Sequence, residues 1–152
     1  MRQERKMGEC EESREYEVEV IRGRSFKALR RAERNYEDED YDGAVFDAEQ
    51  AVQLYLKSII LELSGEIPRT HDVRRLLSYV GSLLNVEEDV RCFIRDRRLQ
   101  LIALEDAYIN ARYRPKEYSK EDAEAFIQLA REVIGFVRRK YERYIRGISQ
   151  DL

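Results

Sequence analysis

The segment from Tyr41 to Leu63 carries two apolar rows side by side. Ala44, Ala48, Ala51, Tyr55, Ile59 and Leu63 recur at helical spacing, and Val45, Val52, Leu56 and Ile60 form a second row beside them. A helix apolar over more than half its circumference has little face to give to water, so neighbours must surround it. The small residues at 44, 48 and 51 allow one neighbour to come close. Asp40 or Asp42 can accept the orphan N–H groups at its start, where negative charge is also favoured by the helix dipole. Gly65 stops the helix, and Pro68 prevents its continuation.

The rest of the chain reads as helices able to enclose that segment. Glu15 to Val20 (EYEVEV) alternates as a strand would, but no partner strand exists elsewhere in the sequence. Ser13 to about Asp38 therefore reads as one helix, with Phe26, Leu29, Ala32 and Tyr36 on its inner side. Thr70 is suited to cap a third, shorter helix carrying Val73, Leu76, Leu77 and Val80. A fourth helix runs from about Asn85 to Tyr113 through Val90, Ile94, Leu101, Leu104, Tyr108 and Ala111, with Arg97 interrupting its apolar seam and Pro115 closing it. Ser119 and Asp122 form a capping box in its Asp form and open a last helix through Ile127, Ile134, Val137 and Ile148. The expectation is an all-α domain over residues 13–152 behind a polar, flexible tail at 1–12. Its architecture is an up-and-down helical bundle of four long helices plus a short one.

Composition narrows the classes of function. With 28 basic and 31 acidic residues the formal net charge is −3, which excludes a uniformly basic nucleic-acid coat but allows a local basic face. The abundance of Arg and Glu is in keeping with a thermophilic, for example archaeal, source. No apolar run reaches the roughly 18 residues of a membrane span, and the N-terminus lacks an apolar signal core. A cytoplasmic protein with no membrane partner is expected. Cys10 and Cys92 form neither a metal-ligand pattern nor a disulfide framework.

Chemistry-bearing patterns are few. The sequence holds no Gly-rich phosphate loop, nucleophile elbow or Cys/His metal spacing, so no cofactor and no metal is expected. The acidic run Glu37–Asp40 is contiguous, so its carboxylates point apart and suit capping. The one histidine, His71, follows Thr70 and is placed in the first turn of the third helix, where the dipole favours a neutral imidazole. Either it fixes the corner by hydrogen bonding, or it contacts a ligand. Lys57 is a cation on the apolar helix, in the position of a snorkelling lysine. Arg97 is expected to be buried against an acid or placed at an interface, with ion pairing favoured over ligand binding, and Glu105 and Asp106 to be surface or ion-pair residues. Tyr108, Arg112 and Tyr113 gather aromatics and cations at a helix end, as a base-stacking surface does, and as a subunit interface does. Arg138, Arg139, Lys140, Arg143 and Arg146 read as a solvated face.

Together, Tyr41-Asp42-Gly43-Ala44-Val45-Phe46, Ala48-Glu49-Gln50-Ala51 with Lys57, Pro68-Arg69-Thr70-His71-Asp72, and Tyr108 followed by Ala111-Arg112-Tyr113 resemble the HEPN domain of prokaryotes. The alanine-rich opening of the last helix at Asp122-Ala123-Glu124 is similar as well. The resemblance spans roughly residues 24–145. It implies a helical bundle that forms a homodimer and partners a minimal nucleotidyltransferase in toxin–antitoxin-like pairs. Many members are metal-independent ribonucleases whose motif is an arginine separated from a following histidine by four to six residues. Here the positions that motif requires hold Ser64, Gly65 and Glu66, and Arg69 is too close to His71. No catalytic residue is therefore carried over. The Thr70-His71-Asp72 corner resembles the branch associated with nucleotide or RNA binding. The expected functional surface comprises His71, Asp72, Lys57, Tyr108, Arg112 and Tyr113. Two alternatives stand beside it: a divergent ribonuclease pairing His71 with Arg112 or Arg74, and a purely structural homodimer.

Overall fold

Asp40 starts the central helix by accepting the Gly43 N–H at 3.0 Å. Gly43 is required there: a Cβ would sit 2.4 Å from the Asp40 Oδ2. At the other end Gly65 takes a left-handed φ of 82° and donates to the Leu61 carbonyl, closing the helix as its C-cap. Only glycine adopts that conformation without strain.

The computed structural model describes the backbone of residues 2–113 and 117–150, and the side chains of 12–110, 113 and 117–149. Among the described residues six helices follow in order: α1 (Arg2–Glu37), α2 (Tyr41–Ser64), α3 (Val73–Leu83), α4 (Glu87–Asp96), α5 (Arg98–Tyr113) and α6 (Lys120–Gln150). No strand occurs among the described residues. The fold is the all-α bundle expected, with α2 at its centre.

Both apolar rows of α2 are buried, apart from the half-exposed Leu63 at its end. Ala44, Ala48 and Ala51 are fully enclosed, as are Ala28 and Ala32 on α1, so small residues line both of these neighbouring helices. Leu101, Leu104 and Ala107 from α5 and Ile127, Ala130, Val133, Ile134 and Val137 from α6 belong to the same core. Each large aliphatic side chain enclosed in this way stabilises the fold by about 1.5–3 kcal/mol relative to exposure.

Polar clamps fix the registers. Arg31 and Asn35 on α1 reach the buried Asp47, with Asn35 donating at 2.8 Å. Burial raises the Asp47 pKa above its ordinary value, and Arg31 opposes the rise. Arg22 donates to the Ser58 hydroxyl at 3.1 Å and to Glu62 at 3.2 Å, while its guanidinium lies 5.0 Å from the Tyr141 ring centre. Tyr141 also donates to Glu62. α1, α2 and α6 are thereby tied together at one level of the bundle.

Three boundaries differ from the sequence reading. α1 begins at Arg2 rather than Ser13, because the preceding residues are mostly Arg, Lys and Glu, strong helix formers with no proline among them. The third helix is capped by Asp72, not Thr70. The Asp72 carboxylate accepts the Arg75 N–H, and the Thr70 hydroxyl serves the corner by accepting the Asp72 N–H at 3.1 Å. The long fourth helix is two helices, broken at Arg97, whose φ of −125° and ψ of 21° leave the helical region. Its guanidinium packs 4.1 Å from the Phe93 ring centre and pairs with Glu132 on α6 at 3.1 Å. That acid pairing was legible in the sequence; the chain break it accompanies was not.

The opening of α6 follows its capping box. The Ser119 N–H donates to Asp122 at 2.9 Å and the Asp122 N–H donates to Ser119 at 3.1 Å. Asp42 does not cap α2 but accepts the Tyr118 N–H at 2.7 Å, joining the start of α2 to the lead-in of α6. On α6, Arg138 pairs with Glu142 and Lys140 reaches Asp89 on α4, as a solvated basic face paired with acids.

Candidate functional site

Beside its apolar rows α2 carries one line of polar residues that leads to a corner of the fold. Glu49, Gln53 and Lys57 recur every fourth residue and therefore share a face. Glu49 is 0% exposed and Gln53 is 3% exposed. Burying a carboxylate is costly unless donors satisfy it. Here Gln53 Nε2 donates to one oxygen, and Gln50 Nε2 donates to the other at 2.8 Å. Lys57 is half-buried at the far end of the line. Burial pushes its pKa down, and the charge of Glu49 draws it back.

The line does not end inside the protein. Gln53 Oε1 lies 3.0 Å from Nδ1 of His71, on the corner between α2 and α3. The imidazole stacks on Tyr108 of α5, with ring centres 4.2 Å apart and planes inclined by 18°. The Tyr108 hydroxyl lies 3.0 Å from His71 Nε2. A continuous polar path thus runs from a fully buried carboxylate to an exposed histidine ring. His71 precedes the cap of α3 rather than standing in its first turn, so hydrogen bonding and stacking hold it, not the helix dipole.

The corner itself is rigidly held. Arg74 donates from Nε to Glu105 Oε1 at 2.9 Å, from Nη2 to Oε2 at 3.0 Å and from its backbone N–H at 3.1 Å. Burial would raise the Asp72 pKa, but the Arg75 N–H and the Arg74 charge outweigh this and hold it below the ordinary value. Asp72 is therefore a charged helix cap beside the imidazole.

Of the residues expected at a functional surface, His71 and Tyr108 are in contact, Asp72 adjoins them in the chain, and Lys57 lies on the line that leads from Glu49. Tyr113, at the end of α5, is 76% exposed. The side chain of Arg112 lies outside the described residues. Glu49 entered the sequence reading only within the stretch Ala48-Glu49-Gln50-Ala51 and not as a site residue, and Gln53 was not singled out. Their signal was there: two polar residues spaced by four on a helix otherwise apolar on both rows.

Other hollows carry less coherent chemistry. A groove of about 560 Å³ beside α3 and α4 is lined by Arg91, Arg95 and Arg98 but also by Glu87 and Glu88. Arg91 is already paired with Glu88 at 2.7 Å. Among the described residues no group of three or more His, Cys, Asp or Glu is placed to hold a metal ion. No described helix is long and apolar enough to cross a membrane.

A six-helix bundle around one apolar helix, with an aromatic pair at an inter-helix corner, defines the class: an all-α domain whose site is built from side chains on facing elements. The HEPN domain family model matches residues 18–140, and the chain belongs to that family. Neither a curated protein nor a solved structure matches the chain.

Proposed function

We propose that the protein is a non-catalytic HEPN module that binds a nucleotide or RNA through the corner of His71 and Tyr108. It forms a homodimer and partners a minimal nucleotidyltransferase, in the cytoplasm, in a toxin–antitoxin-like pair. The observation that carries this reading is the stacked His71–Tyr108 pair, exposed at its histidine end and connected through Gln53 to the buried Glu49. Aromatic faces accept nucleobases by stacking, worth about 1–3 kcal/mol per base. A buried charge connected to a surface ring is a costly arrangement in a fold otherwise free to use apolar residues, and such costs gather at functional sites. Asp72, Lys57, Arg112 and Tyr113 complete the proposed surface.

The ribonuclease alternative needs an arginine beside His71. Arg74 is committed to Glu105 by three hydrogen bonds, which speaks against that role for it. Co-expression with a minimal nucleotidyltransferase, followed by native mass spectrometry at micromolar protein, tests the partner. A stable hetero-complex is expected. Separate masses for the two proteins would remove the partner from the reading.

A further inference from the structure

α1 turns one side to the core and the opposite side to water, and charge on that outer side is acidic before Gly23 and basic after it. Gly23 stands at the middle of the outer face, because the buried Ser25 and Ala32 lie two and nine positions further on, half a turn round the helix. Glu19 and Lys27 lie four positions on either side of Gly23, Tyr16 and Arg30 seven, and Glu12 and Arg34 eleven. Intervals of 4, 7 and 11 return to the same face of a helix, so these residues form one row about 33 Å long. All six side chains are exposed, Tyr16 at 69%, and a Cβ on Gly23 would meet nothing within 4 Å.

Among the described residues Glu12, Glu19, Lys27, Arg30 and Arg34 make no ion pair. Lys27, Arg30 and Arg34 are neighbours at three- and four-residue spacing, where like charges repel. The helix dipole favours Arg34, which lies in the last turn, but it acts only within the end turns and does not reach Glu12, Glu19, Lys27 or Arg30. A polyanion such as RNA would suit the basic half of the row and be repelled by the acidic half. A surface with the same row running the other way suits both halves, and a second copy of the chain is such a surface.

We infer that α1 carries the homodimer interface, with a second copy lying antiparallel across its outer face about a twofold axis at Gly23. Each residue then faces the one equally far from Gly23. Lys27 meets the partner's Glu19, Arg34 meets the partner's Glu12, and Arg30 meets the ring of the partner's Tyr16. A twofold axis makes every such contact occur twice. Arginine over tyrosine adds a cation–π contact, and both residue types are enriched at interfaces. The bare backbone of Gly23 at the crossing lets the two helices approach closely. Exposed ion pairs set orientation and partner choice more than strength, so the dimer is reversible and weakened by salt. This interface gives a surface to the homodimer of the proposed function, on which it rests, and uses no residue of the His71–Tyr108 corner.

The test is the oligomeric state of the full-length protein by sedimentation equilibrium. Lys27→Glu with Arg34→Glu makes the row acidic throughout, and Glu12→Lys with Glu19→Lys makes it basic throughout. Each variant alone is expected to dimerise at least about tenfold more weakly than the wild type, the scale of losing four exposed ion pairs. An equal mixture of the two is expected to restore the dimer, as a heterodimer identified by native mass spectrometry. Net charge does not mimic this pattern. The second variant carries a smaller net charge than the wild type's −3, so overall repulsion alone would strengthen its dimer. Gly23→Leu, whose added Cβ has open space within one copy, blocks the crossing and is also expected to weaken the dimer. Circular dichroism confirms folding of each variant. A dimer unchanged in both charge variants overturns the inference and leaves the homodimer standing on another surface; RNA binding lost in the first of them would then give the basic half to RNA. A mixture that fails to dimerise overturns the inference too. A wild type that stays monomeric at the highest concentration reached overturns both the interface and the homodimer.

Discussion

Arg74 holds Glu105 in a fork closed at both carboxylate oxygens, at 2.9 and 3.0 Å, and adds its own backbone N–H to the same carboxylate. The two residues belong to α3 and α5, the elements that flank the His71 corner and carry Tyr108. The fork therefore sets the distance between the two stacked rings. Bidentate arginine–carboxylate pairs are among the more directional contacts in proteins.

Arg74→Ala is expected to lower stability by about 1–2 kcal/mol, since it leaves Glu105, largely buried, without its cation while solvent screens part of the loss. Chemical denaturation of variant and wild type measures this. Glu105→Ala should cost at least as much, because it also frees the Arg74 backbone N–H at the start of α3. A cost within 0.5 kcal/mol of zero, on the order of a plain surface substitution, would show that the corner is held by other contacts.

The two ends of α2 depend on glycine for different reasons. Gly43→Ala drives a methyl into the Asp40 cap and is expected to cost about 1 kcal/mol, the usual worth of an N-cap. Gly65→Ala forces a side chain into a φ of 82° and is expected to cost about 1–2 kcal/mol. The sites lie at opposite ends of the helix and share no partner, so the double variant should show the sum. Urea midpoints for the three variants decide it.

Ala48 is fully buried on the small-residue side of α2. Ala48→Leu is expected to overpack the core and cost about 1–3 kcal/mol or more, while preserving helix content. Thermal unfolding followed by circular dichroism gives the result. A variant as stable as the wild type would mean that the small residues are not required for close approach.

Stability should fall at alkaline pH through Tyr55. Burial pushes the pKa of this phenol up to about 12, from an ordinary value of 10.0. The neutral phenol is the form the fold favours, so its contribution is present below pH 10 and is lost as the pH rises toward 12. Absorbance titration of tyrosinate should show Tyr55 ionising last or only with unfolding. Tyr55→Phe should flatten that part of the pH–stability curve.

Much of the fold was legible because one segment dominates it. The double apolar row of α2 demanded enclosure, and Asp40, Gly65 and the Ser119–Asp122 box marked helix ends by local chemistry that tertiary contacts did not override. Arg97 was visible as a flaw in the seam, but sequence spacing alone could not tell a buried cation within one helix from a break between two. The deciding contacts, Phe93 and Glu132, come partly from another helix. The cap of α3 was misplaced by two residues because Thr70 and Asp72 are both competent caps, and only the corner geometry chooses. The site was half legible. His71 and Tyr108 stood out by residue type, whereas Glu49 and Gln53 looked like ordinary polar residues until the fold buried them. Their connection to His71 crosses from mid-helix to a corner, a relation that no local pattern encodes.

The proposed ligand surface is the His71–Tyr108 corner. Differential melting of the full-length protein with ATP and, separately, with a short single-stranded RNA tests it most directly. A ligand at about 100 times its dissociation constant stabilises by roughly 2.7 kcal/mol, which for a domain of this size is a rise of roughly 5–10 °C. Such a rise is expected with at least one of the two, and its loss in both His71→Ala and Tyr108→Ala. No rise with either, or an equal rise in both variants, would contradict it.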